Sequence, residues 1–354
     1  TARDADALDA LVAELHVHGA HPLKDPPAHI VPAETDGVLP AGFYSTTNLP
    51  TSVLVHERWI DVVNPEMDCA LVVEPDSARA VPMHRVRAGD LVVVGSKGLR
   101  VKPLEKPRGH TPFEFMASEV SSEKPKALIV AEVAARIRKS KENGGKLLAV
   151  CGPAVIHTGA GPDVATLVRE GWVDVLFAGN GFATHDIESN LLGTSLGVSL
   201  TEGAPTEGGH ANHLRTINEV RRWGSLANGV ESGLLTGGVM YECLRTGTPF
   251  VLAGSIRDDG PLPDVVTDMV EAQEVMRALV PGVTVALMLA STLHAIGTGN
   301  LLPASVETFC VDINQAVVTK LADRGSHQAL GIVTDVGLFL RDLAQRLGTQ
   351  RSAG

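Results

Sequence analysis

Long apolar runs are missing from this chain. The longest, Val283 to Leu293, is too short to cross a bilayer, so a membrane-spanning helix and a membrane partner are not expected. Cysteine is scarce: Cys69, Cys151, Cys243 and Cys310 lie far apart and mostly inside apolar runs, which fits reduced core thiols better than a disulfide frame or a zinc site. A reducing cytoplasm is the location that this usage implies. Excess positive charge is also absent. A net charge of −11 argues against a general electrostatic hold on nucleic acid, although Arg215, Arg221 and Arg222 leave room for a local basic pocket. No repeat, low-complexity tract or charged-then-apolar signal segment is visible, and because the chain opens on Thr1 and not Met, a few leading residues are expected before it. What is present is core-forming material: 44% hydrophobic content over 354 residues is enough for two domains, with small metabolites as the better partner class.

The texture of the chain changes near residues 103 to 127. Before that stretch, short β-like runs alternate with Pro and Gly, at Val53 to Val55, Trp59 to Val63, Ala70 to Val73 and Leu91 to Val94, with a turn over residues 86 to 90. After it, a helix over Ala127 to Asn143 is followed by strands at Lys146 to Cys151, Asp174 to Ala178, Pro249 to Ala253, Val283 to Leu289, Thr308 to Asp312 and Ala329 to Val333. Helical stripes fall between these strands, as over Asp163 to Glu170, and one closes the chain over Leu338 to Leu347. The expected fold class is α/β: a Rossmann-like, mostly parallel sheet with helices on both faces, preceded by a smaller β-rich or α+β domain. The expected boundaries are residues 1–110 for the first domain, 111–126 for a linker and 127–354 for the nucleotide domain. The strand order is left open.

Several strand ends carry chemistry, and in open parallel sheets ligands gather at the carboxyl ends. Cys151 to Gly161 is a glycine-bearing turn between a strand and a helix, but it lacks the third glycine of a dinucleotide fingerprint and Pro162 removes a donor. Gly179-Asn180-Gly181 reads either as a tight structural turn or as a place where backbone approaches a phosphate, with Asn180 tolerating left-handed backbone. Ser255-Ile-Arg257-Asp258-Asp259 puts one cation and two carboxylates at the end of an apolar strand. Ser291-Thr292-Leu293-His294 suits the opening turn of a helix, where free N–H groups and a hydroxyl meet a phosphate. Asp312, at a strand tip, can accept both ribose hydroxyls and would repel a 2′-phosphate, or else it caps the element beginning near Asn314. Asp335, followed by Val336, repeats the strand-end acid, with N-capping of the last helix as the alternative. His16, His18 and His21, and His210 with His213, lack the carboxylate or cysteine partner of a metal site, so no metal is expected.

Taken in order, longer motifs resemble a known family. They are Phe43-Tyr-Ser-Thr-Thr-Asn48, Asn64-Pro-Glu-Met-Asp68, Phe113-Glu-Phe-Met116, Phe177-Ala-Gly-Asn-Gly-Phe-Ala-Thr-His-Asp-Ile-Glu188, Gly208-Gly-His-Ala-Asn-His213, the run from Phe250 to Asp264, and Val333-Thr-Asp-Val-Gly337. Together they look like the archaeal-type ornithine cyclodeaminases. This family also carries the label of a lysine-oxoglutarate reductase/saccharopine dehydrogenase conserved domain, and it recurs as the C-terminal part of bifunctional arginine dihydrolases. The resemblance covers nearly the whole chain. One departure stands out: Asn180-Gly181-Phe182-Ala183 replaces an expected Asn-Ala-Leu-Ala, which places Phe182 in the pocket wall.

The resemblance implies NAD as cofactor, held by Asn180, Gly181, Asp259, Ser291, Thr292, Leu293, His294, Asp312, Asp335 and Val336. It also implies conversion of L-ornithine to L-proline with loss of ammonia, the hydride being borrowed from and returned to the substrate, in a homo-oligomeric enzyme. For that chemistry the candidates are Arg257 to hold the substrate carboxylate and Asp258 for proton transfer or ammonium binding. Asn48 and Glu119 are candidates to close the pocket. Two other readings stay open here: a related NAD-dependent oxidoreductase acting on lysine or saccharopine, and a non-catalytic NAD-binding module.

Overall fold

The computed structural model describes residues 25–102, 126–200, 203–206, 209–258, 260–323 and 329–348, with residues 11, 14 and 17 besides. Contacts divide the chain into two compact units, one of residues Thr1–Thr46, Pro50–Val63 and Asp68–Lys102, the other of Thr47–Leu49, Asn64–Met67 and Pro103–Gly354. The expected linker lies outside the described residues apart from Lys126, which opens a helix.

The first unit is built on one seven-stranded sheet. Its strands are β1 (His29–Pro32), β2 (Thr51–Val55), β3 (Arg58–Val63), β4 (Ala70–Val73), β5 (Ala78–Val81), β6 (Leu91–Val94) and β7 (Leu99–Val101), in the order β1-β6-β4-β5-β3-β2-β7. All neighbours run antiparallel except β3 and β5. Alternation sorts their side chains: along β3, Ile60 and Val62 are buried while Asp61 and Val63 face out, and the inward pair packs with Val53, Leu71 and Val93. Strands β1, β5 and β7 were not among the runs expected from the sequence. Unlike β4 and β6, which are unbroken apolar runs of four, they are interrupted by His29 and Pro32, by Arg79 and by Arg100, so no apolar block marks them.

The second unit is an α/β domain. In chain order it runs α1 (Lys126–Glu142), β8 (Lys146–Cys151), α2 (Ala154–His157), α3 (Gly161–Arg169), β9 (Val175–Gly179), α4 (Asn180–Leu192), a small hairpin of β10 (Thr194–Ser195) and β11 (Val198–Ser199), α5 (Asn212–Trp223), α6 (Leu226–Glu231) and α7 (Val239–Thr246). It continues with β12 (Phe250–Ala253), β13 (Val265–Val266), α8 (Met269–Leu279), β14 (Val283–Leu289), α9 (Leu293–Leu301), β15 (Glu307–Asp312), α10 (Gln315–Asp323), β16 (Ala329–Val333) and α11 (Val336–Gly348). The sheet order is β13-β12-β9-β8-β14-β15-β16, and every pairing is parallel.

Period-two alternation decides what each face of this sheet buries. Along β8, Leu147, Ala149 and Cys151 join a core with α1, α3, α7 and α11, whereas Leu148 and Val150 join a second core with Met276 of α8, Ala295 of α9 and Val318 of α10. Both faces are apolar because helices cover both, which is why these strands read as continuous hydrophobic runs. None of the described helices is long and apolar enough to cross a membrane. All four cysteines are free and buried, in keeping with the expectation of reduced core thiols.

Candidate functional site

The first strand of the domain, β8, lies inside the sheet. The chain winds outward from it through β9 and β12, then returns to start the other half at β14. The crevice therefore opens between the carboxyl ends of β8 and β14, the position where open parallel sheets bind ligands. The two backbones meet there: the Gly152 N–H donates to the Leu289 carbonyl at 2.9 Å, and a Cβ on Gly152 would stand 1.8 Å from the Ala290 carbonyl oxygen. Gly179, at the end of β9, is similarly confined, since a Cβ there would lie 2.6 Å from the His294 ring.

Above these strand ends lies a cavity of about 580 Å³. Two helix N-termini open on it. Gly179 caps α4 and Thr292 caps α9 without any side-chain hydrogen bond, so the first N–H groups of both helices are left for a ligand. Asn180, Gly181, Ser291, Thr292, Leu293, His294, Arg257 and Asp258 are thus brought together around one space. Asn180 and Gly181 are not in a left-handed turn as the sequence suggested; they form the first turn of α4. The reason lies in the Asn180 side chain. Its Oδ1 accepts the Leu262 N–H at 3.0 Å, which ties the helix start to the far end of the loop after β12. Phe182 is fully buried and stands in the cavity wall.

The loop after β12 is built by its own residues. Asp258 Oδ2 accepts the Ser255 N–H at 2.9 Å and Ser255 Oγ accepts the Arg257 N–H at 3.1 Å, while Arg221 grips the Pro261 carbonyl from α5 at 2.9 and 3.1 Å. Arg257 is exposed and carries no ion pair among the described residues; Asp259 lies outside them.

The acids on the next two strands do not line this cavity. Asp312 Oδ1 accepts the Asn314 N–H at 2.8 Å, the local capping role, which leaves Oδ2 for another partner. Asp335 N-caps α11 through the Leu338 N–H at 2.9 Å, and Val336 is buried in the core. The Gly159 and Gly161 end of the first glycine turn is also away from the cavity, because a short helix, α2, intervenes; Cys151, Pro153 and His157 reach it instead. Arg215, Arg221 and Arg222 form no shared basic pocket, each being tied to a different neighbour: Asn212, Pro261 and Glu219. Asn48 belongs to the second unit, where its carbonyl accepts the Ala304 N–H at 2.8 Å; Glu119 lies outside the described residues. Among the described residues no group of three or more His, Cys, Asp or Glu could hold a metal ion. His16, His18 and His21 are not among those residues, and His213 is in the cavity wall.

A group that the sequence reading passed over lines the same cavity. His157 and His185 meet edge to face, ring centres 4.7 Å apart, and His157 Nδ1 is 2.6 Å from Ser195 Oγ. His185 Nδ1 is 2.8 Å from Glu188 Oε2, whose other oxygen accepts from Thr194 Oγ1 at 2.7 Å and the Gly197 N–H at 3.0 Å. Glu188 is 0% exposed. Burial alone would raise its carboxyl, but the bonds from His185, Thr194 and Gly197 outweigh that and hold it below the usual carboxylate range. Burial, followed by the neighbouring His185, lowers His157 to about 4, so its ring is neutral. Beside them Asp186 is buried, caps α7 through the Val239 and Met240 N–H groups, and is raised by that burial to about 6. The sequence signals for this group were the place of His185 and Glu188 in the Phe177 to Glu188 motif, where neither was given a role, and their i, i+3 spacing, which a solvated helix face would also show.

Comparison with known proteins places the chain. Residues 131–343 match the family described as arginine dihydrolase ArgZ-like, C-terminal, Rossmann fold, and residues 50–130 match the first region of the same C-terminal part. Residues 1–49 match the LOR/SDH bifunctional enzyme conserved region. The chain belongs to the ArgZ-like C-terminal family. An ornithine cyclodeaminase of Methanopyrus kandleri is 56% identical over 98% of this chain and 84% of that protein. The bifunctional arginine dihydrolase/ornithine cyclodeaminase AgrE of Nostoc is 48% identical over 92% of the chain and 47% of its own length. Among solved structures, a LOR/SDH protein of Methanococcus maripaludis superimposes with a TM-score of 0.87 at 48% identity, covering 92% of this chain and 99% of that one. The ternary complex of AgrE with ornithine and NAD+ does so at 0.63 and 45% identity, over 99% of this chain and 50% of that one. As an ArgZ-like Rossmann domain, the second unit has the fold that the sequence led us to expect.

Proposed function

We propose that this ArgZ-like protein is an NAD-dependent ornithine cyclodeaminase, an ammonia-lyase that converts L-ornithine to L-proline. The structural observation that carries the reading is the pair of uncapped helix N-termini opening on one cavity at the switch point of the sheet. That donor set fits the pyrophosphate of a dinucleotide, and its relatives bear the activity in their names. When bound, the cofactor supplies a hydride acceptor for the substrate α-carbon and a hydride donor for the cyclic imine, so no net redox change results.

The residues divide the work by chemistry. Asn180 and Gly181 at the start of α4, with Ser291, Thr292, Leu293 and His294 at the start of α9, hold the cofactor by backbone N–H groups and short polar side chains. The uncommitted Oδ2 of Asp312 takes a ribose diol, and its charge disfavours a 2′-phosphate; Asp335 and Val336 on the adjoining strand end, and Asp259, complete the cofactor set. Arg257 takes the substrate carboxylate, and Asp258 an ammonium group or its proton. The four free buried thiols support a reducing cytoplasm. Exposed Leu192, Leu196, Leu200 and Leu214 offer apolar surface for a homo-oligomeric contact, which sedimentation of the purified protein tests.

The deciding experiment is an amino-acid panel with NAD+, read for ammonia and proline by mass spectrometry. Ornithine should give both products. Ammonia accompanied by an accumulating keto acid and reduced cofactor would instead indicate a net dehydrogenase acting on another amino acid, and tight NAD binding without turnover would indicate a binding module.

A further inference from the structure

Resting on that reading, we propose that His185 is the proton carrier of the reaction, acting through Nε2 at the cavity wall, and that Glu188 is the residue that positions it. The geometry points to this division of labour. Glu188 is an acceptor with no solvent contact and three donors converging on it: His185 Nδ1, Thr194 Oγ1 and the Gly197 N–H. An anionic carboxylate at 2.8 Å requires a proton on Nδ1, so neutral His185 presents Nε2 as a lone pair. The scaffold behind is fixed in turn, because Asn212 Nδ2 donates to Thr194 Oγ1 at 3.0 Å. A histidine oriented by a buried carboxylate is the arrangement that general bases use, and this one shares its cavity with both helix N-termini and with Arg257 and Asp258.

The other titratable groups around the cavity are less suited to the task. His157 is bonded to Ser195 Oγ at 2.6 Å, and Asp258, whose Oδ2 already accepts the Ser255 N–H, is left to bind an ammonium group and not to carry its proton. His294 Nε2 is 3.1 Å from the Ala253 carbonyl, an acceptor, so that nitrogen carries its proton as a donor. His213 lines the wall from α5 and is not among the three donors to Glu188, and the Arg257 guanidinium suits an anion better than a proton in transit.

The proton count closes with one carrier. Neutral His185 takes a proton from the α-ammonium of a substrate whose δ-amine is neutral, leaving an α-amine whose lone pair supports departure of hydride from the α-carbon. The δ-amine then adds to the resulting iminium carbon. His185 returns its proton to the α-nitrogen and takes one from the ring nitrogen, so the α-carbon–nitrogen bond breaks with ammonia as the leaving group and a cyclic iminium forms. After hydride is restored to that carbon, the same proton goes back to the ring nitrogen, giving proline and neutral His185.

The test uses two variants that separate proton transfer from hydrogen bonding. His185→Asn keeps a donor near Nδ1 for Glu188 and deletes Nε2; His185→Gln keeps a hydrogen-bonding group near Nε2 that cannot titrate. Both should lower kcat by about 100-fold or more, remove the acid limb of the kcat–pH profile, and leave NAD+ affinity by calorimetry within about threefold. Glu188→Gln should retain part of the activity with the acid limb moved to lower pH. Wild-type kinetics keep the two ideas apart: if the wild type makes no proline from ornithine, the proposed function falls whatever His185 does. If the wild type makes proline and either folded variant keeps its kcat and its acid limb, His185 is not the carrier. Should neither variant fold, absence of any acid limb in the wild-type kcat profile, with no solvent isotope effect on kcat, would overturn the proposal.

Discussion

Gly152→Ala tests the apposition of β8 and β14 on which the site depends. The added Cβ would lie 1.8 Å from the Ala290 carbonyl oxygen, 2.7 Å from its carbonyl carbon and 3.1 Å from Ser291 Cα. Real Cβ contacts do not come below 3.0 Å, so the strands must part by more than 1 Å at this point. All three neighbours are backbone, held by the Gly152 N–H to Leu289 bond and by the adjoining ladder, and no rotamer change can relieve them. Forced separation of a packed interior costs about 1–3 kcal/mol, and backbone on both sides puts this case at about 3 kcal/mol. Ser291 opens the turn before α9, so the same movement carries one of the two helix N-termini away from the other. A displacement of about 1 Å at a reacting geometry costs on the order of 100-fold in rate. Urea unfolding measures the first effect and steady-state ornithine turnover the second, with calorimetric NAD+ binding to show whether the cofactor site itself has moved. Wild-type stability together with wild-type turnover would show that β8 and β14 do not approach as described, and the placement of the cavity would fall with it.

Gly181→Ala should be tolerated. Its Cβ would meet only Pro153 at 3.9 Å, and Ala is the residue that the family resemblance leads one to expect there, so stability stays within about 0.5 kcal/mol and NAD+ affinity within about threefold; a tenfold loss of binding would contradict the open space described at the first turn of α4. Asp312→Ala should weaken NAD+ binding by about 1–3 kcal/mol through loss of a charge-assisted hydrogen bond, and an unchanged dissociation constant would exclude Asp312 from the pocket. Asp186 carries a pH signature. Its folded-state carboxyl is raised to about 6 from 3.8, so the native protein holds this proton longer than the unfolded chain, and the stability it contributes below pH 3.8 is lost as pH rises through about 6. The margin of wild type over Asp186→Asn in urea unfolding should therefore shrink over that window by at most about 3 kcal/mol and stay level above it; a margin that grows with pH would contradict the burial assigned to Asp186.

Much of the fold is local information. Strands β8, β14 and β16 run over the residues expected, because short blocks of Val, Leu, Ile and Ala bounded by Gly, Pro and polar residues are legible from near neighbours alone. The Ser291 to His294 segment likewise opens α9 with Thr292 as its cap. The Asn180 turn misled for an equally local reason. Gly-Asn-Gly is turn chemistry in isolation, but here the Asn180 side chain has a partner 82 positions away at Leu262, and the segment starts a helix.

By itself, the sequence determined the class of the protein: a parallel sheet buried on both faces, free thiols in its core, no apolar segment fit to span a membrane, and a set of strand-end turns able to meet a phosphate. Those features depend on composition and on spacings of two to four residues. Only the tertiary structure decided which turns share a cavity, since that follows from the order of strands and from backbone contacts such as Gly152 against Ala290. It alone brought His157 and His185 together from separate helices and buried Glu188 behind them. Burial is a property of everything packed around a residue, and no short window of sequence contains it.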